Sequence, residues 1–340
     1  MTVLETTIPV RDATGPAEPR SVQANDDRGD QLFQRGTWLT GLTVLAVMAA
    51  VGLFLAVEAA ESLATAGIGF LTTTEWEPES GTFGVASVLS GTVLIALVAV
   101  AVAMPVALGV SLFITEVAPP RLRGTLIALV DLMAAVPSVV YGLWGLFLFQ
   151  GSALGLARWL ATWLGWIPFF DVTGADPGNP LANSTVYTAS MFVAGIVVAL
   201  MVMPIQASIM REVFSQVPVG EREGAFALGA TRWGMIRAVS LPFGRGGIIG
   251  GTMLGLGRAL GETIAVLLIL SPDFTLKIRV LETGGMTASY LIGSRYAEAT
   301  EFSLSALMAA GLALFAMTLA VNFTASAFVA RSRSGASSEA

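Results

Sequence analysis

Apolar runs and short polar interruptions alternate along this chain. Six runs reach the length needed to cross a bilayer, about 20 apolar residues. They lie at 38–57, within 85–115, and at 124–149, 186–210, 246–270 and 302–328. The pattern predicts an all-α polytopic membrane protein with six transmembrane helices. The second run is longer than a bilayer needs and carries Pro105, so a tilt, a kink or a protruding end is expected there. The third holds Asp131 and Pro137. Residues 1–36 are polar, contain Pro9, Pro16 and Pro19, and show no apolar period, which predicts a disordered tail. The first apolar run starts too late for a secretory signal, and no small-residue cleavage site follows it. A second short tail, 331–340, opens with Arg331 and Arg333.

The polar interruptions differ in sign. The first, after residue 57, holds Glu58, Glu61, Glu75, Glu77 and Glu79 and no basic residue. The next is short, with Glu116, Pro119, Pro120, Arg121 and Arg123. A longer one, a loop through Asp171, Asp176, Pro177 and Pro180, also holds Trp159, Trp163, Trp166, Phe169 and Phe170, which read as an interfacial aromatic belt. The segment 211–245 is the longest basic interruption, with Arg211, Arg222, Arg232, Arg237 and Arg245. With both termini cytoplasmic, the inner segments hold 13 of the 18 Lys and Arg. The outer ones hold Arg158, Lys277, Arg279 and Arg295, and Arg258 lies within a span. Basic residues gather on the cytoplasmic side of membrane proteins. A seventh span over 154–170 would turn the Arg-rich segment outward, and the charge distribution opposes it.

Composition agrees with this reading and removes several chemistries. Hydrophobic residues make up 54% of the 340, charged ones only 12%, and mean hydropathy is +0.75. Soluble domains carry about 25% charged residues. There is no Cys and no His, which excludes disulfides, thiolate chemistry and histidine acid–base catalysis. The net charge of −6 does not suggest a nucleic-acid partner. The single lysine, Lys277, belongs to no Gly-x-x-x-x-Gly-Lys-Ser/Thr loop, so the chain should not hydrolyse ATP and is read as a non-enzyme.

Two stretches carry candidate chemistry. Within 221–242, small residues cluster at Gly224, Ala225, Ala227, Gly229 and Ala230. Gly229 reads as a helix stop and Thr231 as the N-cap of a second short helix, which Pro242 should end or kink. Within the fifth run, Gly247, Gly251 and Gly255 recur every fourth residue, as do Gly257 and Gly261, a spacing that lets two helices touch along their backbones. The same run sets Arg258 and Glu262 one helical turn apart. At i and i+4 they can neutralise each other. They read either as a structural ion pair or as the polar lining of a substrate path. Asp131, near a span end, reads as a carboxylate that reaches the interface or pairs with a loop arginine.

The residues also resemble a known family. ATP-binding-cassette (ABC) importer permeases carry a cytoplasmic Glu-Ala-Ala, three residues, Gly, nine residues, Ile-x-Leu-Pro. Here Glu223-Gly224-Ala225, Gly229 and Val239-Ser240-Leu241-Pro242 match it, with Gly224 in place of Ala and Val239 in place of Ile. The run from Leu256 through Gly257-Arg258-Ala259-Leu260-Gly261-Glu262-Thr263-Ile264-Ala265-Val266 resembles a segment of phosphate importer permeases. Phe70-Leu71, Glu75-Trp76-x-Pro78, Gly91-Thr92, Pro137 to Gly145, Met286 to Ser289 and Tyr296 to Ala299 resemble the PstC-type subunit.

The resemblance implies a type I ABC importer permease (MetI-like) fold in the bacterial plasma membrane, with a permease domain over 85–330 that follows the first helix and acidic loop of 37–84. It implies a loop, 211–245, that docks a separate ATPase through Glu223, Gly224, Ala225, Gly229, Val239, Leu241 and Pro242. It implies a substrate path at Arg258, Glu262 and Thr263. The implied partners are a homologous PstA-type permease, a PstB-type ATPase dimer that binds ATP and Mg, and a PstS-type phosphate-binding protein docking outside. No cofactor is expected in this chain. A permease for sulfate or molybdate, a stand-alone secondary transporter and a membrane-embedded enzyme are the alternatives.

Overall fold

A computed structural model describes residues 28–174, 176, 178 and 184–333. Of the expected tails, 1–36 and 331–340, residues 1–27 and 334–340 lie outside the described residues, as does part of the loop around Pro177 and Pro180. The chain forms two units, Met1–Val51 and Gly52–Ala340.

Helix α1 (Arg28–Glu58) starts earlier than the expected tail boundary at residue 36. The prolines end at Pro19, and Asp30 in the first turn complements the helix dipole. Within the first unit the helix exposes apolar side chains all round, Trp38 at 75% and Leu45 at 64% among them. That is the surface of a helix meant for lipid or another subunit.

In the second unit the acidic interruption is folded. It contains α2 (Ala60–Ala66), a 3-10 turn (Gly67–Leu71) and a small antiparallel hairpin of β1 (Trp76–Glu77) and β2 (Thr82–Phe83). Phe83 is buried and meets Phe70, Trp76 and Phe302 edge to face, while Glu75, Glu77 and Glu79 stay exposed at the rim.

The bundle consists of α3 (Ala86–Leu112), continued by a π turn (Phe113–Val117), α4 (Pro120–Ala135), α5 (Ser138–Trp144), a π turn (Gly145–Phe149), α6 (Gln150–Leu164) and α7 (Met191–Ser215). Then come α8 (Val219–Ala227), α9 (Arg232–Met235), a π turn (Ile236–Ser240), α10 (Leu241–Leu260), α11 (Ile264–Ile269), α12 (Ala288–Arg295) and α13 (Glu301–Arg333). Helix α7 is the centre, packed on α3, α10, α4, α5 and α11. The α3–α7 seam is small and β-branched, with Ala96, Ala99, Ala103, Val197, Val198 and Val202 all buried. Pro105 lies inside α3 without ending it.

Five helical runs among the described residues are long and apolar enough to cross a membrane: Gly29–Glu58, Ala86–Val117, Ser138–Leu164, Met191–Ser215 and Glu301–Thr324. The fifth apolar run of the sequence is different, being broken into α10 and α11 at 261–263.

The third crossing also departs from the simple span at 124–149. It breaks at Val136, whose extended ψ of 128° is what a following proline imposes. Asp131 lies near Ser208 and Arg211 of α7, Tyr141 shares a cavity with Leu200, and Gly145 packs on Val197. The chain therefore climbs α7 from its Ser215 end towards its Met191 end, through α4 and then α5. The helix continues to Leu164, so Trp159 and Trp163, expected in a loop, are on α6 and exposed at 55% and 67%.

Candidate functional site

Four of the segments that carry the family resemblance, Gly91-Thr92, Pro137 to Gly145, Leu256 to Val266 and Met286 to Ser289, lie far apart in sequence and meet around the break between α10 and α11. Helix α10 ends at Leu260, and Gly261 closes it. Glu262 then turns inward and is 9% exposed. Its Oε1 accepts the Ala265 backbone N–H at 3.2 Å, capping the first turn of α11. The Glu262 carbonyl accepts the Ser289 hydroxyl at 2.7 Å.

Ser289 sits in the first turn of α12, capped by Thr287, whose Oγ1 accepts the Tyr290 N–H at 3.1 Å. The Thr92 hydroxyl of α3 accepts the Ala288 N–H at 3.0 Å. Gly91 beside it is obligatory, since a Cβ there would stand 2.2 Å from the Met286 carbonyl oxygen. On the other side α5 lies against α11. A Cβ at Gly142 would be 2.9 Å from Ala265 Cα, and one at Gly145 would be 2.9 Å from Ile269 Cδ1. Two short helix starts, α11 and α12, thus share one polar knot inside an apolar bundle.

Arg258 is one turn before the break and is exposed, and its guanidinium makes no ion pair or hydrogen bond among the described residues. The expected neutralising pair with Glu262 is not made. The i and i+4 relation holds only while the helix continues, and here it stops between the two. Glu262 spends its carboxylate on the α11 backbone instead. Thr263 is half-buried, and a Cβ at Gly293 of α12 would meet its Cγ2 at 3.0 Å. The arrangement offers an uncommitted guanidinium beside a rigid polar turn, which suits weak recognition of a small oxyanion.

The glycine ridge of α10 divides by face. Gly247 and Gly255 lie against Val213 and Gln206 of α7, where added Cβ atoms would come within 2.6 and 2.0 Å, and Gly251 faces the Gln206 carbonyl at 3.2 Å. Gly257 instead faces Asn322 of α13, and Gly261 lies at the break. Gln206 itself is fully buried, and neither atom of its amide has a hydrogen-bond partner. The sequence reading passed over it, because a single Gln in an apolar run carries no periodic signal.

The 221–242 stretch folds as two short helices. Gly229 has φ +82°, with its N–H on the Phe226 carbonyl and the Ala230 N–H on the Ala225 carbonyl, a Schellman closure of α8. Thr231 caps α9 by accepting the Gly234 N–H at 3.1 Å. Pro242 does not end the second helix. The π turn at Ile236–Ser240 comes just before it, and the helical run passes through into α10. A π turn changes the backbone pairing where a proline has no N–H to give. Glu223, Gly224, Gly229 and Pro242 are exposed, and Ala225, Val239 and Leu241 half-buried. Phe226, Leu228 and Trp233 beside them are 45%, 91% and 63% exposed, an uncovered apolar surface rimmed by charge.

At the opposite end of α7 the loops are tied together. Arg279 reaches Asp171 at 3.1 Å, and the Thr173 hydroxyl donates to Glu282. Burial works to raise the Asp273 carboxyl, but hydrogen bonds from Lys277 and Thr275 outweigh it and hold the group below the usual carboxylate range. A cavity of about 440 Å³ opens beside the hairpin, lined by Glu77, Glu79, Arg295 and Glu298 among others.

Residues 106–334 match the family model described as binding-protein-dependent transport system inner membrane component. A protein of Mycobacterium tuberculosis named phosphate transport system permease protein PstC 2 is 40% identical over 305 residues, covering 88% of this chain and 91% of that one. The Haemophilus influenzae protein named phosphate transport system permease protein PstC is 37% identical over 302 residues, covering 86% and 90%. Among solved structures, a chain of a bacterial ABC transporter for import of alginate superposes with TM-score 0.53 at 16% identity, covering 88% of this chain and 99% of that one. At that identity the likeness concerns the fold alone.

Proposed function

Because the chain belongs to the family of binding-protein-dependent transport system inner membrane components, with PstC-type permeases as its relatives, we propose that it forms half of the phosphate path of an ATP-driven importer. The observation that carries this reading is the knot at 261–263, where four of the segments resembling phosphate permeases converge next to an unpaired Arg258. Inorganic phosphate is mono- or dianionic near neutral pH, and guanidinium matches its oxygens in bidentate fashion. Arg258 would supply the transient positive contact and Thr263 a hydroxyl. Glu262 would hold the turn and, as a nearby negative charge, keep the anion from binding tightly.

In this reading a homologous PstA-type permease completes the path, and a PstS-type binding protein delivers phosphate to the face that carries the acidic hairpin. Five Glu and no basic residue make that loop a poor funnel for a free anion, which favours delivery by a docked partner. A PstB-type ATPase dimer binds ATP and Mg and docks on 211–245. Nucleotide-driven closure of the dimer moves α8 and α9, and the bundle alternates between outward and inward openings. In this reading the chain lies in the bacterial plasma membrane with both termini cytoplasmic.

Proteoliposomes holding this chain, a PstA-type permease, a PstB-type ATPase and the binding protein should take up labelled phosphate only with internal ATP. Excess sulfate or molybdate should leave the rate unchanged. Uptake of sulfate or molybdate in place of phosphate would move the chain to the alternative oxyanion permeases. Phosphate uptake without the ATPase would make it a secondary transporter.

A further inference from the structure

The docking stretch is fastened to the bundle at one buried carboxylate. Glu116 lies in the π turn that ends the α3 run, and its side chain is only 3% exposed. Its Oε1 receives Arg222 Nη2 of α8 at 3.1 Å and the Ser240 hydroxyl at 3.0 Å from the turn that leads into α10. Arg222 Nη2 also donates to the Phe214 carbonyl at 2.7 Å, near the end of α7. The ends of α3 and α7, the middle of α8 and the start of α10 therefore meet through three side chains.

Helix α8 buries no residue of its own, so Arg222 is its principal polar anchor. The turns around the carboxylate bury Ile114, Met235 and Ile236. A buried carboxylate is costly unless an opposite charge and hydrogen bonds satisfy it. Displacing α8 alone would strand Glu116, so the low-cost motion is one in which α3, α8 and α10 move together.

We infer that Glu116 is a positioning residue, the joint through which movement of the docking loop is passed to the spans at both sides of the substrate path. This rests on the reading of the chain as an ATPase-coupled permease. The sequence placed Glu116 in a short loop, and nothing in its local context marks it.

The test uses the complete reconstituted transporter. Glu116→Gln should keep the ATPase bound and hydrolysing ATP, while phosphate moved per ATP falls about tenfold. Arg222→Gln should do the same. The double variant should be no worse than the poorer single, because the two groups act as one unit. Ser240→Ala removes one hydrogen bond to a charged group and should lower the ratio about threefold, which keeps the test alive if Glu116→Gln fails to assemble.

A second readout is independent of the substrate. The chain has no cysteine, so Ile264→Cys, at a position 50% exposed, is a single reporter. Its labelling rate should differ between the nucleotide-free and vanadate-trapped transporter, and Glu116→Gln should abolish the difference. Wild-type coupling ratios and an unchanged labelling difference in the variants would overturn the joint. A labelling difference that depends on Glu116 in a transporter that moves no phosphate would leave the joint standing and overturn the phosphate reading.

Discussion

A methyl group at Gly255 would stand 2.0 Å from Gln206 Nε2 and 2.7 Å from Cδ, in the tightest part of the α7–α10 seam. Gly255→Ala is therefore expected to cost about 1–3 kcal/mol through overpacking. Pairing it with Gln206→Ala should recover most of that loss, since the truncation frees the space and removes an unsatisfied buried amide. Gly250→Ala, with nothing within 4 Å, should be neutral or slightly stabilising. Thermal unfolding of the three variants in detergent gives the comparison, and equal destabilisation at Gly250 and Gly255 would contradict it. Arg258 has a different standing. With no ion pair to break, Arg258→Gln should fold and assemble normally while phosphate uptake falls at least about tenfold. Glu262→Gln retains an amide oxygen that can accept the Ala265 N–H, so it too should assemble, with slower release of phosphate. A double Arg258→Gln, Glu262→Gln variant that transports at near wild-type rate would remove both residues from the path. The types and places of these two residues were legible in the sequence, but their pairing was not. An i, i+4 rule assumes a continuous helix, and Gly261 lies between them.

The docking stretch is the element where local rules served best. The Schellman closure at Gly229 and the N-cap at Thr231 depend on a few neighbouring residues, so both could be read from sequence. The π turn before Pro242 depends on how α9 must enter α10 beside the end of α3, and that is a tertiary demand. Pro137 shows the same division. Its effect on Val136 is local, yet the apolar run continues across it, and hydropathy alone joins what the backbone separates. At Gly229 a Cβ meets nothing within 4 Å, so Gly229→Ala should cost only the left-handed backbone, roughly 1–2 kcal/mol. Gly229→Trp, at that same backbone cost, and Glu223→Lys, without it, should both still fold in the isolated chain and lose the ATPase, because both project from an exposed surface. Co-purification measures this directly, and normal ATPase recovery with normal uptake in both variants would remove the docking role from 221–242.

At the scale of the whole molecule, the loops sort to the two ends of α7. Glu116, Arg222 and Arg211 cluster at its Ser215 end. Asp171, Arg279, Glu282 and the hairpin that precedes α3 belong to its Met191 end. The first cluster carries the five arginines of 211–245, and the second carries the acidic loop that has no basic residue. Such a bias in basic residues sets the orientation of a polytopic protein at insertion, so the Arg-rich side is expected to be the cytoplasmic one. A third crossing assembled from α4 and α5, with α6 running on past it, keeps this alternation without a seventh span. The chain contains no cysteine, so single-cysteine variants report cleanly. Glu77→Cys and Asp176→Cys are at exposed positions and should react with a membrane-impermeant maleimide added to intact cells. Arg232→Cys, equally exposed, should react only after lysis. All three are exposed and lie outside the apolar spans, so a failure to label reports sidedness and not burial. Labelling of Arg232→Cys from outside would invert the molecule. It would place the docking surface away from any cytoplasmic ATPase, and with it the whole coupling scheme would fall.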